Sequence, residues 1–277
     1  MNTPDWRFIN SGFMSGPLNM ALEEVLWKRC QEGTSSLTVR VFGWTPPAIS
    51  IGYHQEPAAI LDLYCCEVDQ IDIVRRITGG RAVWHEGEIT YSVVSPLTSP
   101  FFEGGLSESN QKISQILVQA IQELGVVAAV SDLSQIPQKN GGALFSSPCF
   151  ASTTRHEIIV EGRKLVGSAQ KRDRTIFLQH GSILLDHSHW KITDYMKISS
   201  LLERERARKI LMQKSIDLES ILGRPVLFDT VAQVLFKEFV KILGTPVSST
   251  GFTDEEMEEA ILLSQKNQST HFFCGVS

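Results

Sequence analysis

Residues 75–85, reading Arg75-Arg76-Ile77-Thr78-Gly79-Gly80-Arg81-Ala82-Val83-Trp84-His85, constrain this chain more than any other segment. Two strand-like pieces, Asp72 to Arg76 and Arg81 to Trp84, flank a glycine pair that bears no side chains. Glycine tolerates positive φ at little cost, and bare backbone lets a ligand lie directly against the chain. The three arginines supply fixed charge suited to phosphate or carboxylate groups. Residue types alone therefore predict a strand–loop–strand site for a ligand with an anionic end.

The surrounding pattern extends this reading. Pro17 to Arg29 carries apolar residues at helical spacing, with Ser15 or Gly16 as cap and Pro17 at the first helical position. Leu37 to Phe42 and Ala48 to Tyr53 read as strands joined by the Gly43–Pro47 turn, and a short helix is expected after Pro57. Ile89 to Val94 predicts a strand, Ser107 to Leu124 an amphipathic helix stopped by Gly125, and Val126 to Val130 a β-type run. Ser131 to Ser147 is polar and glycine-rich and reads as a surface loop. A hairpin is expected over His156–Val160 and Arg163–Gln170, turning at Glu161-Gly162, and a further strand over Ile176–Leu185. After Trp190 the pattern is helical, over Leu201–Gln213, Val231–Leu243 and Asp254–Lys266, with Thr253 as a cap. Strands mixed with helices and followed by helices alone predict an α+β fold with mixed β-sheets packed against helices. The expected division is a catalytic domain over 1–190 and a short helical C-terminal extension over 191–277.

Composition excludes several alternatives. With 277 residues and 42% hydrophobic content the chain can bury a large core. No apolar run approaches the ~20 residues that cross a bilayer, and Met1 to Gly12 lacks the pattern of a secretory signal. The expectation is a cytoplasmic protein with no membrane partner. Five cysteines, Cys30, Cys65, Cys66, Cys149 and Cys274, make no disulfide framework, and no CxxC pair points to a metal. Cys65-Cys66 reads as packing at the end of a short helix. A net charge of −5 argues against nucleic-acid binding. Arg163, Lys164, Lys171, Arg172 and Arg174 nevertheless crowd one hairpin, which suits either an acidic partner or plain solvation.

Cys149 follows Pro148, which fixes its own φ and biases Ser147 toward an extended shape. A thiol attacks only as thiolate, and a nearby cation lowers its pKa. Lys164 stands fifteen residues downstream, just past the hairpin turn, where the returning strand can bring it close. By residue type alone, Cys149 reads equally as a small buried residue and Lys164 as a surface residue. Alternation places Lys164, Val166, Ser168 and Gln170 on one strand face, with Gly167 and Ala169 keeping the other thin. That fits a pocket wall and a half-exposed strand alike.

Four motifs in order, RRITGGRAVWH, PCFAS, GRKLVGSAQ and LQHGSILL, resemble the lipoate/biotin protein ligase-like catalytic domain family, most closely its octanoyltransferase branch. The resemblance runs from the PLNMALEE helix through LQHGSILLD. It implies an acyl-binding pocket formed by Arg76, Gly79, Gly80, Arg81, Ala82, Val83, His85, Ser168, Ala169, His180 and Gly181. It also implies that Cys149 carries the acyl group as a thioester and that Lys164 lowers the cysteine's pKa. The implied reaction moves octanoyl from acyl carrier protein to a lysine of a lipoyl-domain protein, with the glycine-cleavage H protein as the expected acceptor. No ATP and no metal are implied, and phosphopantetheine is carried by the donor. Two related chemistries share the pocket: an ATP-dependent lipoate–protein ligase, and an octanoyl amidotransferase working between lipoyl domains.

Overall fold

A computed structural model describes residues 6–99, 101, 106–131, 157–244 and 251–272. Strand β1 (Trp6–Met14), helix α1 (Gly16–Gln31) and strand β2 (Leu37–Trp44) come first, and β1 pairs β2 in parallel, so α1 is the crossover of a βαβ unit. Ser15 sits at the cap in an extended conformation and Pro17 follows in the first turn, where a missing N–H costs nothing. Gly16 is tightly placed, since a Cβ there would meet Val74 at 3.1 Å and Ala48 at 3.3 Å.

Beyond β2 the chain makes β3 (Ala48–Ile51), α2 (Pro57–Ile60), α3 (Leu63–Val68), β4 (Asp72–Arg75), β5 (Val83–His85) and β6 (Glu88–Pro96). Next come α4 (Leu106–Glu123), β7 (Ala129–Val130), β8 (Ile158–Val160), β9 (Arg163–Arg172) and β10 (Ile176–Leu184). A 3₁₀ turn (His187–Lys191) leads into α5 (Ile192–Tyr195), α6 (Leu201–Lys214), α7 (Leu218–Leu222), α8 (Phe228–Leu243) and α9 (Asp254–Phe272). The sequence pattern did not disclose α5 and α7, which are too short to show a period.

Among the described residues the strands form two sheets, ordered β1-β2-β6-β10-β9-β8-β7 and β4-β3-β5. The two strands expected to flank the Gly43–Pro47 turn therefore belong to different sheets. Pro46 and Pro47 have no N–H to give a ladder, and the chain changes sheet there. The β8–β9 hairpin turns at Glu161 (φ 51°) and Gly162 (φ 73°), the double positive φ of a type I′ turn.

Alternation along β6 sets the layers. Ile89, Tyr91 and Val93 enter the main core with Ile113, Ile116 and Leu117 of α4 and Leu235 and Phe239 of α8, while Ser92 reaches Glu23 of α1 on the other face. Leu211, Ile216, Leu218, Phe228, Val231 and Leu243 belong to the same core as Trp6 and Phe177. The helices after residue 190, an extension in sequence, thus complete the core in space. Helix α9 opens with a capping box: Thr253 Oγ1 accepts from Glu256 N and Thr253 N donates to the Glu256 carboxylate. The same Glu256 grips Arg7 of β1, while Ala260 packs on Ala21, Leu22 and Val25 of α1. Among the described residues no helix is long and apolar enough to cross a membrane.

Candidate functional site

The two sheets and α1 enclose a narrow cleft, partly open to solvent. Its wall includes Arg76, Gly80, Val83, His85, Ser168, Ala169, His180 and Gly181 from the expected set. Gly79, Arg81 and Ala82 lie off the wall: Gly79 is exposed, Arg81 is half-buried, and Ala82 packs into the main core. Met20, Trp44, Thr90, Gly167 and Ser182 also line the cleft and were not read from the sequence.

Two glycines make the wall possible. Gly80 has φ +103°, which favours glycine. A Cβ on Gly181 would lie 2.4 Å from the Gly167 carbonyl oxygen and 2.8 Å from Tyr91 Cε1, so β9 and β10 meet there only because residue 181 has no side chain. Gly52, absent from the expected set, matters as much, because its Cβ would fall 2.1 Å from the Gly80 carbonyl oxygen. A glycine ending a strand pattern is the available signal for such close approach.

Arg75 and Arg76 bond peptide carbonyls, Arg75 on the segment after β3 and Arg76 on the glycine loop and Ser50. Arg75 Nη1 donates to the carbonyls of Tyr53 (2.9 Å) and Gln55 (2.6 Å). Arg76 Nη1 donates to the Ser50 carbonyl (2.7 Å), and its Nη2 donates to the Arg81 carbonyl (2.9 Å). These bonds hold the backbone around the glycine pair in shape.

Both cleft histidines turn their nitrogens into the protein. His85 Nε2 lies 2.5 Å from Ser50 Oγ and Nδ1 lies 2.7 Å from Glu88 Oε1, while its ring stacks on Trp44 at 3.9 Å. Ser50 Oγ also accepts from Arg76 Nη1 at 2.6 Å. Glu88 Oε1 also accepts from Thr90 and Ser182, whereas the buried Oε2 has no hydrogen-bond partner. His180 Nε2 lies 2.6 Å from Thr78 Oγ1, and its Nδ1 is 3.7 Å from Glu23. Burial pushes the His180 pKa down despite the Glu23 carboxylate. Burial also opposes ionisation of Glu23, but hydrogen bonds from His180 and Ser92 and the Arg40 charge hold it below the usual carboxylate range. Both imidazoles therefore shape the wall.

Lys164 does not line this cleft. It stands three residues before Gly167 on β9, about 10 Å along the strand. The expected alternation does not carry from Lys164 to Ser168, because Ile158 pairs with Val166 while Ile159 pairs with Lys164, and Leu165 and Val166 both enter the main core; Ser168 meets Tyr91 and Gln170 meets Gln179. Its ammonium is fully buried and reaches Glu157 Oε1 at 2.5 Å. The Lys164 carbonyl accepts from Ile216 N, and neighbouring Ser215 Oγ lies 2.7 Å from His189 Nε2. Glu157 is also tied to the end of β7, since Ser131 N donates to the Glu157 carbonyl (2.7 Å) and Glu157 N donates to Ser131 Oγ (3.1 Å). Cys149 and the loop expected over Ser131–Ser147 lie outside the described residues beyond Ser131 itself. Among the described cysteines, burial pushes the Cys30 and Cys66 thiols up to about 12 and a hydrogen bond to Asp62 raises Cys65, so none is poised as a thiolate.

The basic residues that crowd the hairpin in sequence separate in space. Arg163 and Arg172 begin and end β9, about 30 Å apart, with Arg163 paired to Glu161 and Lys171 over the Trp27 ring.

Comparison with known proteins bears on this geometry. The family model described as lipoyl protein ligase A/B catalytic domain matches residues 15–240. An octanoyltransferase LipM of Kyrpidia tusciae is 36% identical over 261 residues, covering 94% of this chain and 95% of that protein. The octanoyltransferase LipM of Symbiobacterium thermophilum is also 36% identical, over 92% of this chain and 93% of its own. The structure of a bipartite lipoate protein ligase from Thermoplasma acidophilum superposes with TM-score 0.76 over 95% of this chain and 92% of that one. At 18% identity that likeness speaks for the fold alone.

Proposed function

The chain belongs to the lipoyl protein ligase A/B catalytic-domain family, and from that premise we propose that it is an octanoyltransferase moving octanoyl from octanoyl-acyl carrier protein to a lysine of a lipoyl-domain protein. The observation that carries this reading is the 36% identity to octanoyltransferases over nearly the whole of both chains. The cleft supports it: Met20, Trp44 and Val83 give it apolar surface. At about 0.8 kcal/mol per buried methylene, the six methylenes of an octanoyl chain contribute on the order of 5 kcal/mol.

The chemistry has two balanced steps. The Cys149 thiolate attacks the donor's thioester carbonyl, a C–S bond to the enzyme forms, and the carrier's C–S bond breaks to release its pantetheine thiol. The neutral amine of the acceptor lysine, on the glycine-cleavage H protein, then attacks the enzyme thioester. An amide forms, the C–S bond to Cys149 breaks, and the amine's proton leaves with the departing thiol or with water. Covalent catalysis divides a transfer between two large carriers into two simpler encounters. The donor thioester is already activated, so the reaction uses neither ATP nor a metal. Lys164 supplies the positive charge that favours the thiolate.

Mass spectrometry tests the reading. Octanoyl-acyl carrier protein without ATP should add one octanoyl mass to the enzyme, Cys149→Ser should abolish the adduct, and the H protein should then receive the group. An ATP-dependent product formed equally well by Cys149→Ser would overturn the transferase reading and identify a ligase. Loading from an octanoylated lipoyl domain but not from the acyl carrier would identify an amidotransferase.

A further inference from the structure

The polar side chains of the cleft wall mostly serve the protein itself. Trp44 Nε1 donates to Thr90 Oγ1, and the hydroxyls of Thr90 and Ser182 donate to Glu88 Oε1. Arg76 directs both terminal nitrogens to Ser50 and to the carbonyls of Gly79 and Arg81. His85 and His180 face protein partners with both ring nitrogens. Among the described residues lining the cleft, Ser168 remains, and a chain of three neighbours sets the direction of its hydroxyl.

Gln170 and Gln179 face each other across β9 and β10, and Gln170 Nε2 donates to Gln179 Oε1. Gln179 is fully buried, and its Nε2 donates to Tyr91 Oη at 2.8 Å. A tyrosine hydroxyl has one proton, and burial pushes the Tyr91 pKa up to about 12, so that proton stays. Having accepted from Gln179, Tyr91 Oη directs its proton to Ser168 Oγ, 2.7 Å away. Ser168 Oγ thus accepts within the wall, and its own proton is left for the cleft that it lines. Gly181 gives this hydroxyl its room. The two residues are register partners, and a Cβ at position 181 would lie 2.9 Å from Ser168 Oγ.

A single side-chain donor in a wall otherwise satisfied matches a ligand with a single polar acceptor. An acyl chain is such a ligand, because its carbonyl oxygen accepts and its methylenes need no partner. Burying that oxygen without a donor is costly. We infer that the Ser168 hydroxyl is the hydrogen-bond donor to the carbonyl oxygen of the acyl group, with Tyr91 and Gln179 as positioning residues that aim it. The inference deepens the octanoyltransferase reading and rests on it.

The test uses a ¹³C-carbonyl methyl ketone of the octanoyl chain, which has no leaving group and cannot be transferred. Its entry is followed by the methyl resonance of Met20, a residue of the cleft wall, assigned by its loss in Met20→Leu. Its carbonyl stretch is read by infrared difference against the ¹²C ketone. We expect the stretch in wild type to lie below its value in an alkane solvent. Ser168→Ala should return it to that value and weaken binding about two- to tenfold, the loss of one neutral hydrogen bond. Tyr91→Phe should leave it no lower than in wild type. A wild-type stretch at the alkane value would overturn the proposal, and its lowering in Tyr91→Phe would show the reverse chain, with Ser168 donating to Tyr91. A lowered stretch that persists in Ser168→Ala would also overturn it, by revealing another donor. If Tyr91→Phe does not fold, wild type and Ser168→Ala decide alone. A ketone that never perturbs Met20 would instead bring down the acyl-cleft reading, and this proposal with it.

Discussion

Two buried ion pairs in this molecule are built from the same charges and held in opposite ways. Arg40–Glu23 lies where β2 passes α1, with side chains 0% and 1% exposed. Arg40 donates to Ser11, Glu23 and both oxygens of Asn19, and its guanidinium lies 3.8 Å over the Phe42 ring. Burial lowers its pKa only to about 10, so it is charged at any physiological pH. Lys164–Glu157 joins a compact ammonium to a carboxylate at the end of a strand. A planar fork spread over several acceptors suits a permanent joint, whereas a compact ammonium meets its carboxylate as a point charge. The difference teaches which of two equally buried charges to suspect of function.

The largest effect should come from breaking the permanent joint. Arg40→Leu leaves Glu23 buried without its cation and should lower unfolding stability by about 3–5 kcal/mol, read from urea midpoints. A loss under about 1 kcal/mol would mean that the two pairs do not differ as described. The pocket should suffer only indirectly, through His180, which shares Glu23.

A smaller effect sharpens the contrast on the lysine side, whose support is itself titratable. His189 contacts Ser215 and is held neutral by burial, with its pKa pushed down to about 4. The unfolded chain therefore binds the extra proton. The stabilisation is complete above pH 6.5, declines as the pH falls, and is gone near 4. Its full size is about 3 kcal/mol, from ~1.4 kcal/mol per pKa unit. Urea midpoints between pH 7 and 4 should fall, and His189→Gln should flatten that limb. An unchanged slope in the variant would remove His189 from the account.

The smallest effect belongs to the exposed charges. Arg163→Glu and Arg172→Glu should each reduce kcat/KM a few-fold at low salt and less at high salt, if an acidic carrier docks on either end of β9. Because β9 separates them, the two substitutions should add. Salt-insensitive kinetics would leave both arginines as solvated surface.

Much of this was legible in the chain. Helix α1, the β8–β9 hairpin with Glu161-Gly162 at its turn, and the Thr253 cap are local features, set by periodicity and turn chemistry. Most of the cleft wall was legible through the motifs. What escaped depends on long-range register. Gly52 meets Gly80 beside the paired β3 and β5, and Trp44 of β2 stacks on His85 of β5 from the other sheet, which no spacing announces. The partner of Lys164 depends on an irregular register before β9. Composition likewise does not announce that Arg75 and Arg76 hold peptide carbonyls of residues 50 and 55. The crowding of Arg163 with Arg172 dissolves once the strand between them is extended.

The two hydrogen bonds between Ser131 and Glu157 have a consequence for the length of chain that joins them. They fasten residues 131 and 157 side by side, and closing a chain between two fixed ends costs only about 0.6 kcal/mol more each time its length doubles. A change in the length of the chain that joins them therefore costs little at its two anchor points. Chimeras that exchange only residues 132–156 between relatives are the natural way to move one reaction onto another's pocket.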